Sequence, residues 1–147
     1  MNNRGAAAYQ VQQVMTASPL KLVAMLYDKA IHSLKEAIRA IEAGDIQGRW
    51  NGYHRAFEII THLRMTLDRK RGGEVAANLD QLYGFMLVRL HQINTRNDPA
   101  PAREVIALLE PLRDSWHQAA AQRATAAPAP AAPSADPRAA LRTIVSA

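Results

Sequence analysis

Apolar residues recur at alternating intervals of three and four along most of this chain, and that rhythm restricts it to helices. Val23, Tyr27, Ala30, Leu34, Ala37 and Ile41 form one such series. Each residue advances about 100° around a helix, so these six side chains share one stripe, the seam of a helical bundle. Ile46, Trp50, Tyr53, Phe57, Ile60, Leu63 and Leu67 form a second series. Val75, Leu79, Leu82, Tyr83, Met86, Leu90 and Ile93 form a third. No segment alternates apolar and polar residues convincingly enough to make a half-buried strand.

Helix punctuation divides these stripes. Ser18-Pro19 supplies a side-chain cap followed by proline at the first helical position, which predicts a helix over 18–43 stopped by Gly44. Asp45 caps a second helix over 45–69. Arg69-Lys70-Arg71 is expected to end it, where cations suit the helix dipole, and Gly72-Gly73 breaks it. A third helix is expected over 74–94, and Asp98-Pro99 restarts the chain into a fourth over 101–121, in which Pro111 is expected to produce a kink near Ala107. Short connections make successive helices antiparallel neighbours. The expected fold is therefore all-α, an antiparallel up-down four-helix bundle over 18–121. Residues 1–17 are expected to form a mobile N-terminal lid segment. Residues 122–147, rich in Ala and Pro, read as a disordered low-complexity tail with room for a short transient helix over 138–145.

Composition narrows the function classes. Among 147 residues there is no cysteine, so disulfide scaffolds, Cys-type zinc sites and thiol catalysis drop out. No apolar run follows Met1-Asn2-Asn3-Arg4-Gly5, so no secretory signal is expected, and no stretch suits a transmembrane helix. A cytoplasmic location is expected. The net charge of +5 falls partly in the tail, where Arg123, Arg138 and Arg142 face only Asp136. Elsewhere acids and bases interleave along the same helices, unlike the one-sided footprint of a nucleic-acid binder. A nucleic-acid-binding regulator using Arg64, Arg69, Lys70 and Arg71 stands as the second reading.

The candidates for chemistry are weak. His54, Glu58 and His62 make a row on one helix face, but a zinc site needs a fourth ligand and a supporting shell. A solvated face explains the row more simply. His32, His91 and His117 have no nucleophile at usable spacing, Ser18 is explained as a cap, and no Gly-rich loop follows a strand. No catalysis, metal, cofactor or small-molecule substrate is expected.

What the bundle does not absorb is more informative. Leu22 and Met25 fall well off the first stripe. Ile59 stands beside the second, in line with Gly48 and Gly52, whose missing side chains leave a trough for close backbone approach. Phe85 and Val88 are displaced from the third. Scattered apolar residues are ordinary on surfaces, yet three helices sharing such a surplus suit a contiguous partner face. The pattern alone is equally compatible with surface scatter.

Longer stretches carry a resemblance. YQVQQVMTASPLKLVAMLY (Tyr9 to Tyr27), followed by Asp28, resembles the opening of the FliS family of flagellar export chaperones. EAGDIQGRW, GGEVAANLDQLYGFMLVRL, INTRNDPA and LLEPLRDSW follow in that family's order, covering about residues 9–120. The resemblance implies a cytosolic chaperone that binds the C-terminal amphipathic segment of flagellin. It would block premature polymerisation and deliver flagellin to the flagellar type III export gate. It also implies that Tyr9 and Val14 lie on the lid and that Leu22 and Met25 belong to the flagellin-covered face. Gly48, Gly52, Ile59, Phe85 and Val88 are further candidates for that face. A co-chaperone or regulatory protein is a further partner to consider. Lys29 departs from the family, which usually has glycine there, and the tail has no counterpart in the shared core.

Overall fold

In the computed structural model, which describes residues 3–124, apolar stripes and polar caps together lay out five helices. They are α1 (Asn3–Thr16), α2 (Pro19–Glu42), α3 (Ile46–Met65), α4 (Arg69–Arg96) and α5 (Ala100–Ala124). The described residues contain no strand. Most of the expected tail, including its proposed short helix, lies outside them.

Local chemistry accounts for the boundaries. The Ser18 side chain accepts the Lys21 N–H at 3.2 Å, and Asp45 accepts that of Gly48 at 2.9 Å. Each satisfies a backbone donor left over at a helix start. Between α2 and α3 the chain turns at Gly44, whose φ of 71° is open to a residue without a side chain. Asn97 ends α4 with a φ of 49°, the left-handed exit that asparagine tolerates.

The junction of α3 and α4 corrects the expectation. α3 ends at Met65, and Asp68 caps the next helical turn by accepting the Arg71 N–H at 3.0 Å. Arg69-Lys70-Arg71 thus opens α4 rather than closing α3, so these cations sit at the unfavourable end of the dipole. Asp80 compensates by accepting both Arg64 and Arg69 at 2.9 Å. The break falls at Gly73, where φ 51° and ψ −126° interrupt the helix before its long part begins.

α2 packs against α3 and α5, and α4 packs against the same two, closing a four-helix ring. Polar pairs show the directions. Arg103, early in α5, reaches Glu42 at the end of α2 at 2.9 Å, while His117, late in α5, meets Asp28 of α2 at 2.9 Å. Arg49 reaches Asn97 at 2.7 Å, and Arg64 reaches Asp80, so α3 and α4 also oppose one another. α5 runs unbroken through Pro111. The bond that proline cannot donate would go to Ala107, and both residues are exposed, so water can serve that carbonyl.

Inside the ring lie Leu26, Leu34, Ile60, Met86, Leu90 and Leu109, all fully buried. Tyr27 and Tyr83 meet at the centre with their hydroxyls hydrogen-bonded to each other. Burial pushes both phenols above the ordinary tyrosine range, so both stay protonated and each hydroxyl satisfies the other.

Candidate functional site

The residues between α1 and α2 fold the first helix beside the second, leaving an open groove of about 630 Å³ between them. Val14 of α1 is fully buried and joins the main core. Residues 4–10 are all exposed, Tyr9 at 64%. α1 is thus anchored near its C-terminal end and nowhere along its first two turns. A helix of this length is marginal without tertiary contacts, so its placement depends heavily on Val14.

Met25 and Val14 give the groove its apolar lining, and Met25 also packs partly buried against the core. Lys21, Asp28, Lys29 and His32 surround them from α2. His117 of α5 completes one rim, with Nε2 2.9 Å from Asp28 Oδ2 and Nδ1 3.2 Å from Lys21 Nζ. A lysine ammonium can only donate, so Nδ1 accepts and Nε2–H donates to Asp28. Arg113 stands 3.9 Å from the same carboxylate. The groove therefore offers a narrow apolar strip edged by polar groups. That suits an amphipathic helix, not a reacting small molecule.

The other candidate positions separate. Leu22, expected outside the core, is fully buried in the same core cluster that holds Val14. Ile59, likewise expected at the surface, is fully buried. The Gly48/Gly52 trough is already occupied by α2. A Cβ on Gly52 would lie 2.5 Å from the Ser33 carbonyl oxygen and 2.8 Å from the Ala37 nitrogen, while one on Gly48 would meet the capping Asp45 side chain first and Ala40 Cβ of α2 at 3.0 Å. Phe85 and Val88 are exposed at 45% and 65% on α4. That helix sits across the ring from α2, so they do not share the groove.

Further depressions lie among the described residues. One of about 450 Å³ runs between α2 and α3 and is lined by His32, Glu36, Arg39 and Arg55 among others. The second, about 290 Å³, is lined by Leu63, Val75, Leu79 and Trp116 among others. The expected histidine row does not form one site. His54 stacks on Trp50 with ring centroids 5.3 Å apart and approaches Glu58 at 3.0 Å, both on the surface. His62 is half-buried, and burial pushes its imidazole below the ordinary range. Among the described residues no three His, Cys, Asp or Glu groups gather as metal ligands. No helix among them is long and apolar enough to cross a membrane. Of the basic residues considered for nucleic acid, Arg64 and Arg69 are both engaged by Asp80.

A wheel centred on Met25 instead of on the core stripe would have gathered Lys21, Asp28, Lys29 and His32, which recur around it at helical spacing. His117 arrives from α5, and no local pattern pointed to it.

Comparisons with known proteins agree on one relationship. A family model described as "Flagellar protein FliS" matches residues 1–123. The flagellar secretion chaperone FliS of Salmonella typhimurium is 41% identical over 106 residues, covering 71% of this chain and 78% of that protein. FliS of Vibrio cholerae is 38% identical over 106 residues, covering 72% and 78%. The flagellar secretion chaperone FliSB of Pseudomonas aeruginosa is 39% identical over 104 residues, covering 71% and 82%.

Proposed function

This chain belongs to the FliS family of flagellar proteins, and from that premise we propose that it is a flagellar secretion chaperone for flagellin. It binds the C-terminal amphipathic helical segment of flagellin in the cytosol, prevents premature filament polymerisation, and hands the subunit to the type III export gate. It acts by covering apolar surface and performs no catalysis.

One observation carries this reading. α1 lies along an apolar groove with Val14 as its buried anchor, while residues 4–10 touch nothing that buries them. A surface that holds one weakly anchored helix is suited to exchange it for another with more apolar contacts. Tyr9 and Val14 then belong to a removable lid, and Leu22 and Met25 to the face it uncovers. Phe85 and Val88 add apolar surface for a partner extended around the bundle. Gly48, Gly52 and Ile59 serve indirectly, by holding α3 against α2.

Covering a helical stripe of about 600 Å² grosses roughly 15 kcal/mol at about 25 cal/mol per Å². Ordering the bound segment and losing free motion offset most of it. The expected dissociation constant is therefore of micromolar to nanomolar order.

Calorimetric titration of the full chain with the C-terminal flagellin segment tests the reading. One-to-one binding with a negative heat-capacity change is expected. Met25→Asp abolishes it at unchanged helicity, because an unpaired charge enters an apolar contact. Absence of binding both by the full chain and by a chain lacking residues 1–16 would overturn the reading.

A further inference from the structure

We propose that the chain's own residues 138–145 dock as a latch in the depression at the α3–α4 end of the bundle, seating Leu141, Ile144 and Val145 there. The latch is independent of flagellin binding.

This depression is an unfinished end of the core. Val23 of α2, Leu63 and Leu67 at the end of α3, Val75 and Leu79 of α4, and Trp116 of α5 line it, so all four bundle helices meet around it. Leu67, Val75 and Leu79 stand on the apolar stripes that three-four spacing assigns to the interior. Val75 is nevertheless 67% exposed, and Leu67, Leu79 and Trp116 are only half-buried against the core. The cause is local. Asp68 caps a helical turn that starts at Arg69, and Gly73 then breaks it with a φ of 51° before the long part of α4 begins. The kink falls between the lining residues Gly72 and Val75, where the core would otherwise close. The space of about 290 Å³ is less than the volume of one helical turn about 10 Å across and about 5.4 Å long. It therefore accepts inserted side chains and not a whole helix.

The chain supplies an occupant of that kind. Arg123, in the last turn of α5, lines the depression, and α5 ends one residue later at Ala124. Residues 125–147 thus start at its edge. Most of them are Ala and Pro, and their large apolar side chains are grouped at Leu141, Ile144 and Val145. That i, i+3, i+4 spacing puts the three on one helical face. Asp136 before Pro137 is a side-chain cap followed by proline at a first helical position, which suits a helix starting there. Even at the roughly 3 Å per residue of a proline-rich chain, the stretch from Ala124 to Leu141 is long enough to return the group to the mouth. A tether of this kind gives an effective concentration of millimolar order, so a contact too weak to hold a separate peptide closes within one chain. The family match stops at residue 123, so the latch lies beyond the shared fold. Once docked, it completes the core at this end and keeps Val75 and Trp116 from the apolar surfaces of other chains.

The experiment uses the absence of cysteine: Ser146→Cys carries a single nitroxide label beside the latch. Amide NMR spectra of the full labelled chain are compared with those of the same protein after the nitroxide is reduced. Residues 63–67 and 75–79, far from residue 124 in sequence, should lose most of their intensity, while residues 46–50 at the opposite end of the bundle keep theirs. Leu141→Asp/Ile144→Asp in the latch, and separately Val75→Asp at its exposed position, should each restore the lost signals, with helicity checked first. The latch variant leaves the bundle sequence untouched, so the test holds even if Val75→Asp unfolds. No loss at 63–67 and 75–79, the same loss in the latch variant, or loss centred on Met25 in the α1/α2 groove overturns the proposal. So does loss seen when labelled protein is mixed with an isotope-labelled copy lacking the nitroxide, because the occupant then comes from a second molecule.

Discussion

Gly52→Ala tests a close approach of α3 to α2. The added Cβ would stand 2.5 Å from the Ser33 carbonyl oxygen, 2.8 Å from the Ala37 nitrogen and 2.9 Å from the Ala37 Cβ, where ordinary contacts lie at 3.4–4 Å. Two of these are backbone atoms of α2, which no side-chain rotation can move. The helices must separate by nearly an ångström, and that disturbs the buried contacts of Ile59 and Ile60 along the same seam. Overpacking of this kind costs about 1–3 kcal/mol, and a rigid obstacle places the cost at the upper end. Alanine returns about 1 kcal/mol through helix propensity. A net loss of about 2 kcal/mol follows, and with a urea slope of about 1–3 kcal/mol per molar the midpoint falls by about 1 M. Urea unfolding followed by far-ultraviolet circular dichroism measures this. Gly5→Ala, which meets nothing within 4 Å, is the control and should not lower the midpoint. A Gly52→Ala protein as stable as wild type would show that α2 and α3 do not approach this closely. The trough would then be free for a partner's backbone.

Three other expectations follow from named contacts. Hydrogen bonds from Arg64 and then Arg69 hold the Asp80 carboxyl down to about 2, below the ordinary 3.8. Its contribution to stability is therefore present above the unfolded-state value and lost as pH falls through the folded one. Asp80→Asn should be less stable than wild type at neutral pH, with the gap closing between pH 3.8 and about 2; a gap unchanged at pH 2 would contradict the assignment. Tyr27→Phe alone leaves the buried Tyr83 hydroxyl unpaired and should cost about 1–3 kcal/mol, whereas the double variant with Tyr83→Phe should cost less than the sum of the singles. A thermal double-mutant cycle decides this, and strict additivity would show that the two hydroxyls do not depend on each other. Val14→Ala removes the anchor of α1 at a cost of about 1–3 kcal/mol. Amide exchange over residues 4–16 should accelerate by tenfold or more with α2–α5 unaffected; unchanged protection there would mean that other contacts hold the helix.

Much of the scaffold was legible before any coordinates. The three-four spacing, the Ser18 and Asp45 caps, and Gly44 depend on atoms within a turn or two of each other, so short-range geometry alone decides them. Tyr27 and Tyr83 were placed on separate core stripes, and in the fold their hydroxyls meet. The family relationship was equally readable, because it rests on the order of residues and not on their packing.

Tertiary structure decided which apolar surface remained available. A helical wheel shows which face is apolar, but not which neighbour covers it. Leu22 looked surplus on the wheel yet is fully buried in the core, and Gly52 looked like part of a vacant trough because the approach of α2 was not known. Arg69-Lys70-Arg71 changed helix ends because the Asp68 cap and the distant Asp80 carboxylate outweighed the local dipole preference. The groove around Met25 and its His117 rim arise only where α1, α2 and α5 meet. Local sequence sets which helices form and which way each is greasy. The choice of which stripe stays uncovered belongs to the packing, since that is decided by residues far apart in the chain.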